Sequence, residues 1–225
     1  MIVENSQEVI MKRLFLAFLA LIMTVPLFSC NEKVDYNVTE IGGYVVEESI
    51  LPTNYVRIVM KNGDAMLLEL YPDDAPETVA NFKSLVAEKY YDGIIFHRVI
   101  SGFMIQGGDP DGNGISNGDR PTIKGEFQYN GFNNTIKHER GVISMARATA
   151  YNSASTQFFI VHRTTVNNSA SLDGQYAAFG KLLAGYDVLD KIASVDTNSS
   201  NKPIKKQQMA TVRFVTIVSE PTIPD

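Results

Sequence analysis

Short runs of apolar, β-branched and aromatic residues alternate with turn-forming residues along the chain from residue 55 onward. The first two runs, residues 55–61 and 65–70, are joined through Asn62 and Gly63, a pair that favours tight hairpin turns because it accepts positive φ. Further runs follow between glycine-rich or polar segments, at residues 94–100, 103–106, 122–127, 141–146, 157–161, 177–182 and 212–218. This spacing predicts a β-rich domain that opens with a hairpin.

Two segments have a helical period instead. Asp74 and Glu77 stand at capping-box spacing with Pro76 in the first turn, which predicts a helix start capped by Asp74. Apolar residues then recur every three or four positions, at Ala75, Val79, Phe82 and Val86. A second helix is predicted over residues 186–193, where one face carries Tyr186, Leu189 and Ile192.

Together these elements predict a mainly β fold, a closed eight-stranded antiparallel β-barrel capped by two α-helices. Closing the sheet would remove the exposed edges that otherwise invite aggregation. Alternation along residues 157–161 puts Gln157 and Phe159 on one face, and Met104 and Gln106 share a face in the same way. Two strands therefore each present a glutamine beside a large apolar side chain.

The N-terminal residues differ from the rest of the chain. Lys12 and Arg13 precede an apolar run over residues 14–28, followed by Ser29 and Cys30, which is the layout of a signal peptide. The segment that ends at Cys30 resembles a bacterial lipobox, which implies cleavage before Cys30 and lipidation of its thiol. A cysteine buried in an N-terminal helix is the alternative.

These features divide the chain into residues 1–30 as a lipoprotein signal peptide, 31–54 as a polar tether and 55–225 as the folded domain. The expected location is the bacterial cell envelope, with the protein anchored by lipid in the outer membrane and facing the periplasm or the cell surface. A monomer is expected.

Composition and charge exclude several classes of function. The formal net charge is −5 and no cluster of lysine and arginine is visible, so no nucleic-acid partner is expected. Cys30 is the sole cysteine of the sequence, which excludes an internal disulfide and a zinc site of paired thiolates. His97, His138 and His162 lie on separate segments without ligand spacing, so they are interpreted as structural. No metal and no cofactor are expected.

Three separated blocks carry a family resemblance: FHRVISGFMIQGGD at 96–109, MARATAYNSASTQFFI at 145–160 and LDGQYAAFGKL at 172–182. They resemble the signature blocks of the cyclophilins in order and spacing, and the similarity extends over residues 55–218. The resemblance implies an eight-stranded barrel with two capping helices and peptidyl-prolyl cis-trans isomerase activity on proline-containing peptides, without a cofactor.

The resemblance also implies roles for individual residues. Arg98 is the expected catalytic arginine, with Gln106 beside it in the catalytic group. The expected substrate-binding residues are Phe103, Met104, Phe159 and Leu172 in the proline pocket, Gln157 on the peptide backbone, Ala146, Arg147 and Ala148 in the neighbouring wall, and Tyr176 closing the pocket. Arg147 is expected to contribute mainly its backbone. Ser171 stands where many members carry a tryptophan associated with cyclosporin binding, so tight inhibition by that drug is not expected.

The chemistry of an X-Pro bond explains why such a site needs more than one group. The amide resists rotation by ~18–20 kcal/mol because nitrogen shares its lone pair with the carbonyl. A rate gain of ~10⁴ requires about 5.5 kcal/mol of preference for the twisted state, whereas one hydrogen bond to a charged group contributes ~1.5–3 kcal/mol. Arg98 is therefore expected to act together with an apolar pocket that excludes water.

The favoured hypothesis is an isomerase that acts on exported, unfolded or partly folded proteins. A non-catalytic proline-peptide binding or chaperone-like module is a second hypothesis, against which the presence of Arg98 argues. A third, a lipocalin-like carrier, would need a hollow barrel, whereas Phe158 and Ile160 are expected to fill the interior.

Overall fold

A computed structural model describes residues 38–115, 120–163 and 171–221. In chain order the elements are β1 (Thr39–Ile41), β2 (Tyr44–Glu48), β3 (Tyr55–Met60), β4 (Ala65–Leu70), α1 (Pro76–Ala87), β5 (Arg98–Ile100), β6 (Met104–Gly107), β7 (Val142–Met145), β8 (Phe158–Val161), β9 (Ala178–Ala184), α2 (Tyr186–Ala193) and β10 (Met209–Ser219). The predicted signal peptide, with Cys30, lies outside the described residues. Among the helices of the described part, none has the length and apolar character needed to cross a bilayer.

The strands form one antiparallel sheet in the order β1-β2-β10-β3-β4-β9-β7-β8-β6-β5. Regular strand pairing does not join the β5 end back to the rest of the sheet. An isolated antiparallel bridge between Ile95 and Gln208 instead links the segments that precede β5 and β10, and the Phe96 N–H donates to the Gln207 carbonyl at 2.9 Å. The mainly β architecture with two helices agrees with the prediction.

The predicted opening hairpin is present as β3 and β4, and residues 157–161 and 186–193 also form their predicted elements. Residues 122–127 do not form a regular strand. The Ile123 N–H forms an isolated bridge to the Ala154 carbonyl at 2.8 Å. The next two backbone donors bond to side chains, since the Lys124 N–H donates to the Glu77 carboxylate at 3.1 Å and the Gly125 N–H to Asn152 Oδ1 at 3.0 Å. Those donors are therefore not free to pair with a neighbouring strand.

The start of α1 is capped by a residue that is distant in sequence. Asp74 was predicted to cap this helix in a box with Glu77, and that prediction is wrong, because no side chain at the N-cap bonds to the first turn. The buried carboxylate of Glu126 instead accepts the N–H groups of Glu77 at 3.0 Å and Thr78 at 2.8 Å. A carboxylate is favourable there because free N–H groups and the positive end of the helix dipole meet at this turn.

The polar tether predicted over residues 31–54 is wrong for its central part, which folds as β1 and β2. These strands extend the sheet, since β2 pairs with the outer edge of β10. Two apolar side chains account for this, because Ile41 and Val46 are buried in a cluster with Leu67 and Val215. A hairpin with so few apolar positions shows no sustained period in the sequence.

Side chains fill the space inside the sheet. Phe158 of β8 packs edge-on against Phe82 of α1 and against Tyr91, with ring centroids 5.7 and 5.3 Å apart. Ile160, on the same face of β8, is also fully buried in this core. The predicted filled interior is confirmed, and it argues against a carrier that would hold a ligand inside. A second apolar cluster lies on the opposite face of β6 and β8, and this face carries the candidate site.

Candidate active site

Strand register brings the predicted catalytic residues together. Arg98 of β5 lies directly opposite Gln106 of β6, and Gln106 lies opposite Phe159 of β8. Met104, two residues before Gln106, packs in the same apolar cluster as Phe159. The period of two along each strand therefore places one polar row beside one apolar wall, as the sequence predicted.

A chain of hydrogen bonds runs along the polar row. Arg98 Nη1 donates to Gln106 Oε1 at 3.2 Å, and Gln106 Nε2 donates to Gln157 Oε1 at 3.0 Å. The Gln106 amide is thus oriented by a donor on one side and an acceptor on the other. Within the described residues Arg98 forms no ion pair, so most of its donors remain available to a ligand.

These side chains line a groove of about 310 Å³. Its lining residues are Arg98, Phe103, Met104, Gln106, Ala146, Arg147, Phe159, Ser171, Leu172 and Tyr176. A smaller adjacent pocket of about 160 Å³ shares Gln106, Ala146 and Arg147 with this groove and adds Gly114, Ala148, Ser153, Ser155, Thr156 and Gln157. All the predicted catalytic and substrate-binding residues therefore line one of two connected pockets.

Phe159 forms the floor of the larger groove and is supported from two sides. The ring of Tyr176 meets it edge-on at 5.7 Å, and the imidazole of His138 stacks on it at 5.9 Å with planes 18° apart. The sequence indicates only a structural role for His138 and does not predict its place behind the pocket floor. No local signal could have shown it, because the contact depends on strand packing.

Two side chains help to hold His138. Its Nδ1 lies 3.1 Å from Asp173 Oδ1, and its Nε2 lies 3.0 Å from Ser144 Oγ. A serine, a histidine and an aspartate also form the triad of many hydrolases, but Ser144 is fully buried and no substrate can reach it. Burial lowers the pKa of His138, and the hydrogen bond to Asp173 opposes that shift. The trio therefore fixes the pocket floor rather than providing a nucleophile.

His162 holds the turn between β5 and β6. The Gly102 N–H donates to His162 Nδ1 at 3.0 Å, so Nε2 carries the proton and donates to Asp190 Oδ1 at 3.0 Å. The backbone N–H of His162 also donates to the carbonyl of Phe103 at 2.8 Å, next to the groove. Burial lowers the pKa of His162, and Asp190 opposes that shift. In the described ranges, no three His, Cys, Asp or Glu side chains converge on a possible metal position.

The sequence matches a known protein family over most of its folded part. The family described as cyclophilin type peptidyl-prolyl cis-trans isomerase matches residues 55–214. A peptidyl-prolyl cis-trans isomerase of Acinetobacter baylyi is 40% identical over 160 residues, which cover 71% of this chain and 82% of that protein. A putative bifunctional phosphatase/peptidyl-prolyl cis-trans isomerase of Streptococcus pyogenes is 39% identical over 173 residues, covering 66% of this chain and 36% of that longer protein.

The fold comparison gives the same result. The crystal structure of a Cryptosporidium parvum cyclophilin type isomerase, solved in the presence of the dipeptide Ala-Pro, superposes with a TM-score of 0.62 at 32% identity. The match covers 73% of this chain and 99% of that one. Since the family match covers well over half of the sequence and the site side chains converge as the signature blocks imply, this chain belongs to the cyclophilin-type peptidyl-prolyl cis-trans isomerases.

Proposed function

We propose that this isomerase accelerates X-Pro exchange in exported, unfolded or partly folded proteins, and that it works from a lipid anchor at Cys30 in a bacterial cell envelope. The observation that carries the catalytic part is the row from Arg98 through Gln106 to Gln157, lying beside an apolar pocket wall. The sequence around Cys30, with its signal-peptide layout and lipobox resemblance, supports the anchor and the exported location.

The reaction breaks no bond, so the site has to stabilise a twisted amide. Twisting returns the lone pair to the proline nitrogen, and a guanidinium donor aimed at that nitrogen gains a partner in the twisted state alone. Arg98 suits this task because arginine stays protonated and holds its donors in a rigid fork. Gln106, which accepts from Arg98 Nη1, is proposed to keep that fork in place.

The apolar wall is proposed to hold the proline ring while the carbonyl side rotates. Phe103, Met104 and Phe159 line the groove beside the polar row, and Leu172 completes the apolar wall. Excluding water from this wall removes hydrogen bonds that stabilise the planar amide, which lowers the barrier further. The presence of Ala-Pro with the Cryptosporidium relative supports an X-Pro segment as the occupant of this groove.

Proline-limited refolding of a slow-folding test protein measures the proposed activity. Residues 31–225 of the wild type, added at catalytic concentration, should accelerate the slow phase. Arg98→Ala should retain about a tenth or less of that acceleration, because one hydrogen bond to a charged group is worth ~1.5–3 kcal/mol. Equal acceleration by both proteins would refute the role of Arg98. Suppressed aggregation at stoichiometric amounts without faster refolding would favour a binding module.

Cell fractionation tests the anchor separately. In cells that express the full chain, Cys30→Ser should move the protein from the membrane fraction to the soluble fraction, because the acyl-accepting thiol is absent. Lipid labelling of the wild type and its loss in the variant provide the chemical control. A variant that stays fully membrane-bound would contradict lipidation at Cys30.

A further inference from the structure

The side chain of Arg147 lies in a fixed position between the two connected pockets. Its Nε donates to the carbonyl of Gln175 at 3.0 Å, and its Nη1 donates to the carbonyls of Ala148 at 2.9 Å and Thr149 at 3.2 Å. Arg147 was expected to contribute mainly its backbone. Its guanidinium is instead held by three carbonyl groups of the surrounding loops.

Three aromatic rings surround the same guanidinium. Its carbon lies 4.7 Å from the ring centre of Tyr176, 5.1 Å from that of Tyr151 and 5.2 Å from that of Phe127. Cation–π contacts of this kind stabilise the charged guanidinium at exposed sites and more strongly at desolvated ones. Because the group is ordered before any ligand arrives, a ligand does not have to bear the cost of ordering it.

The positive charge of Arg147 has no counter-ion within the described residues. Its hydrogen bonds go to neutral carbonyls, and no carboxylate of the described residues lies within 4.0 Å of its nitrogens. Among the described residues, those that line the two pockets include Arg98 and Arg147 and no acidic residue. The described lining of the site is thus positive, although the whole chain carries a formal charge of −5.

The position of Arg147 places this charge beside the residues that flank a bound proline. Arg147, Gln106 and Ala146 line both pockets, so a peptide that fills the larger groove continues past Arg147 into or along the smaller pocket. An extended chain advances only about 3.3 Å per residue, so the residues one or two positions from a proline in the larger groove are those that reach the wall shared by both pockets.

We propose that Arg147 is a specificity-determining residue that favours substrates with an acidic side chain within two residues of the isomerised proline. The proposal rests on the proposed isomerase site, since it names the class of peptide that the site prefers. A carboxylate that approaches Arg147 would find Nη2 without a hydrogen-bond partner among the described residues. A charge-assisted hydrogen bond to that donor is stronger than one between neutral groups.

Matched peptides test the preference directly. Otherwise identical peptides with Glu, Gln or Lys at each of the two positions before and after a single proline are compared by NMR exchange, which needs no coupled protease. At one or more positions, kcat/KM should be about three- to fivefold higher for Glu than for Gln at low salt, and lowest for Lys, as expected for a partly exposed ion pair. The ratio should shrink towards one as salt is raised.

Variants distinguish the contribution of the Arg147 charge from that of the other charges on the protein. Arg147→Gln should bring the Glu-to-Gln ratio to about one, and Arg147→Lys should keep part of it. Lys206→Gln is the matched control: it removes one positive charge from an exposed position outside both pockets, and should leave the ratio unchanged.

The outcomes are distinguishable. A wild-type enzyme that isomerises Glu and Gln peptides equally would overturn the proposal, as would an unchanged ratio in a folded Arg147→Gln protein. If Arg147→Gln does not fold, the peptide ratio of the wild type and its salt dependence still decide the question. No catalysis of any peptide by the wild type would instead refute the isomerase function itself.

Discussion

The neutral imidazole of His162 connects three parts of the molecule next to the groove. Its Nδ1 accepts from Gly102, its Nε2 donates to Asp190, and Asp190 in turn accepts two hydrogen bonds from Arg140 at 2.7 and 3.0 Å. Protonation of Nδ1 would remove the acceptor that Gly102 uses. The positive charges of Arg140 and Arg163 add to the effect of burial in lowering the pKa of His162.

This arrangement predicts a pH-dependent stability. The pKa of His162 is lower in the folded chain than its unfolded value of about 6.5. The unfolded chain therefore binds the proton more readily, so the stabilisation is complete above about pH 6.5 and is lost as the pH falls through the folded pKa. In urea unfolding between pH 7.5 and 5, His162→Asn should lose less stability than the wild type, because the Asn amide oxygen can accept from Gly102 without titrating. A His162→Asn protein whose free energy of unfolding falls with pH as steeply as that of the wild type would contradict this.

At the scale of single residues, the sequence predicted the positions of side chains that follow a strand period. It missed the contacts that depend on packing between distant segments. Alternation placed Gln157 with Phe159 and Met104 with Gln106, and the structure confirms both pairs. His138 could not be assigned in this way, because Asp173, 35 positions along the chain, reaches it through the fold. The same holds for the carbonyl and ring contacts of the Arg147 side chain.

At the scale of elements, α1 shows which part of a helix its own sequence determines. The apolar period predicted the buried face, on which Val79, Phe82 and Val86 pack into the core. The cap comes from Glu126, 49 residues from Glu77 and next to Phe127, whose ring packs on Arg147. One carboxylate therefore ties the start of the helix to a loop that borders the substrate groove.

Glu126→Gln should lower the free energy of unfolding by about 1–2 kcal/mol, because two N–H groups of the first turn lose a charged acceptor. Asp74→Asn is the matched control. It changes the residue at the position where the sequence predicted the cap, and should cost less than about 0.5 kcal/mol. Denaturant unfolding of both variants measures the difference. A larger cost for Asp74→Asn than for Glu126→Gln would mean that the cap seen here is not the one that stabilises the helix.

At the scale of the whole molecule, the folded body is larger than the part shared with the family. The family match begins at residue 55, whereas β1 and β2 add a hairpin to the outer edge of β10 before that point. The sequence predicted the shared body because its strands alternate and its blocks are distinctive. It did not predict the added hairpin, whose buried side chains in the described part are few and lie among polar neighbours.

The hairpin also covers an edge that would otherwise be exposed. The last residues of β10 pair with β2, and Val46 is fully buried against Leu67 and Val215. An unpaired strand edge invites pairing with another chain. The edge at this end of the sheet is then the three-residue strand β1. For a protein proposed to work among partly folded chains, an edge this short limits unintended pairing away from the groove.

Substitutions within β2 test whether the hairpin is an integral part of the fold. Val46→Ala should lower the free energy of unfolding by about 2 kcal/mol, because it leaves a cavity in the cluster beneath the hairpin. Val45→Ala, its neighbour on the same strand and only half-buried, should cost less than about 1 kcal/mol. Neither change should alter kcat/KM on a proline peptide, since β2 contributes no residue to either pocket of the site. If residues 38–48 acted as a loose tether, both substitutions would leave the unfolding free energy unchanged, and chemical denaturation of the two variants distinguishes these cases.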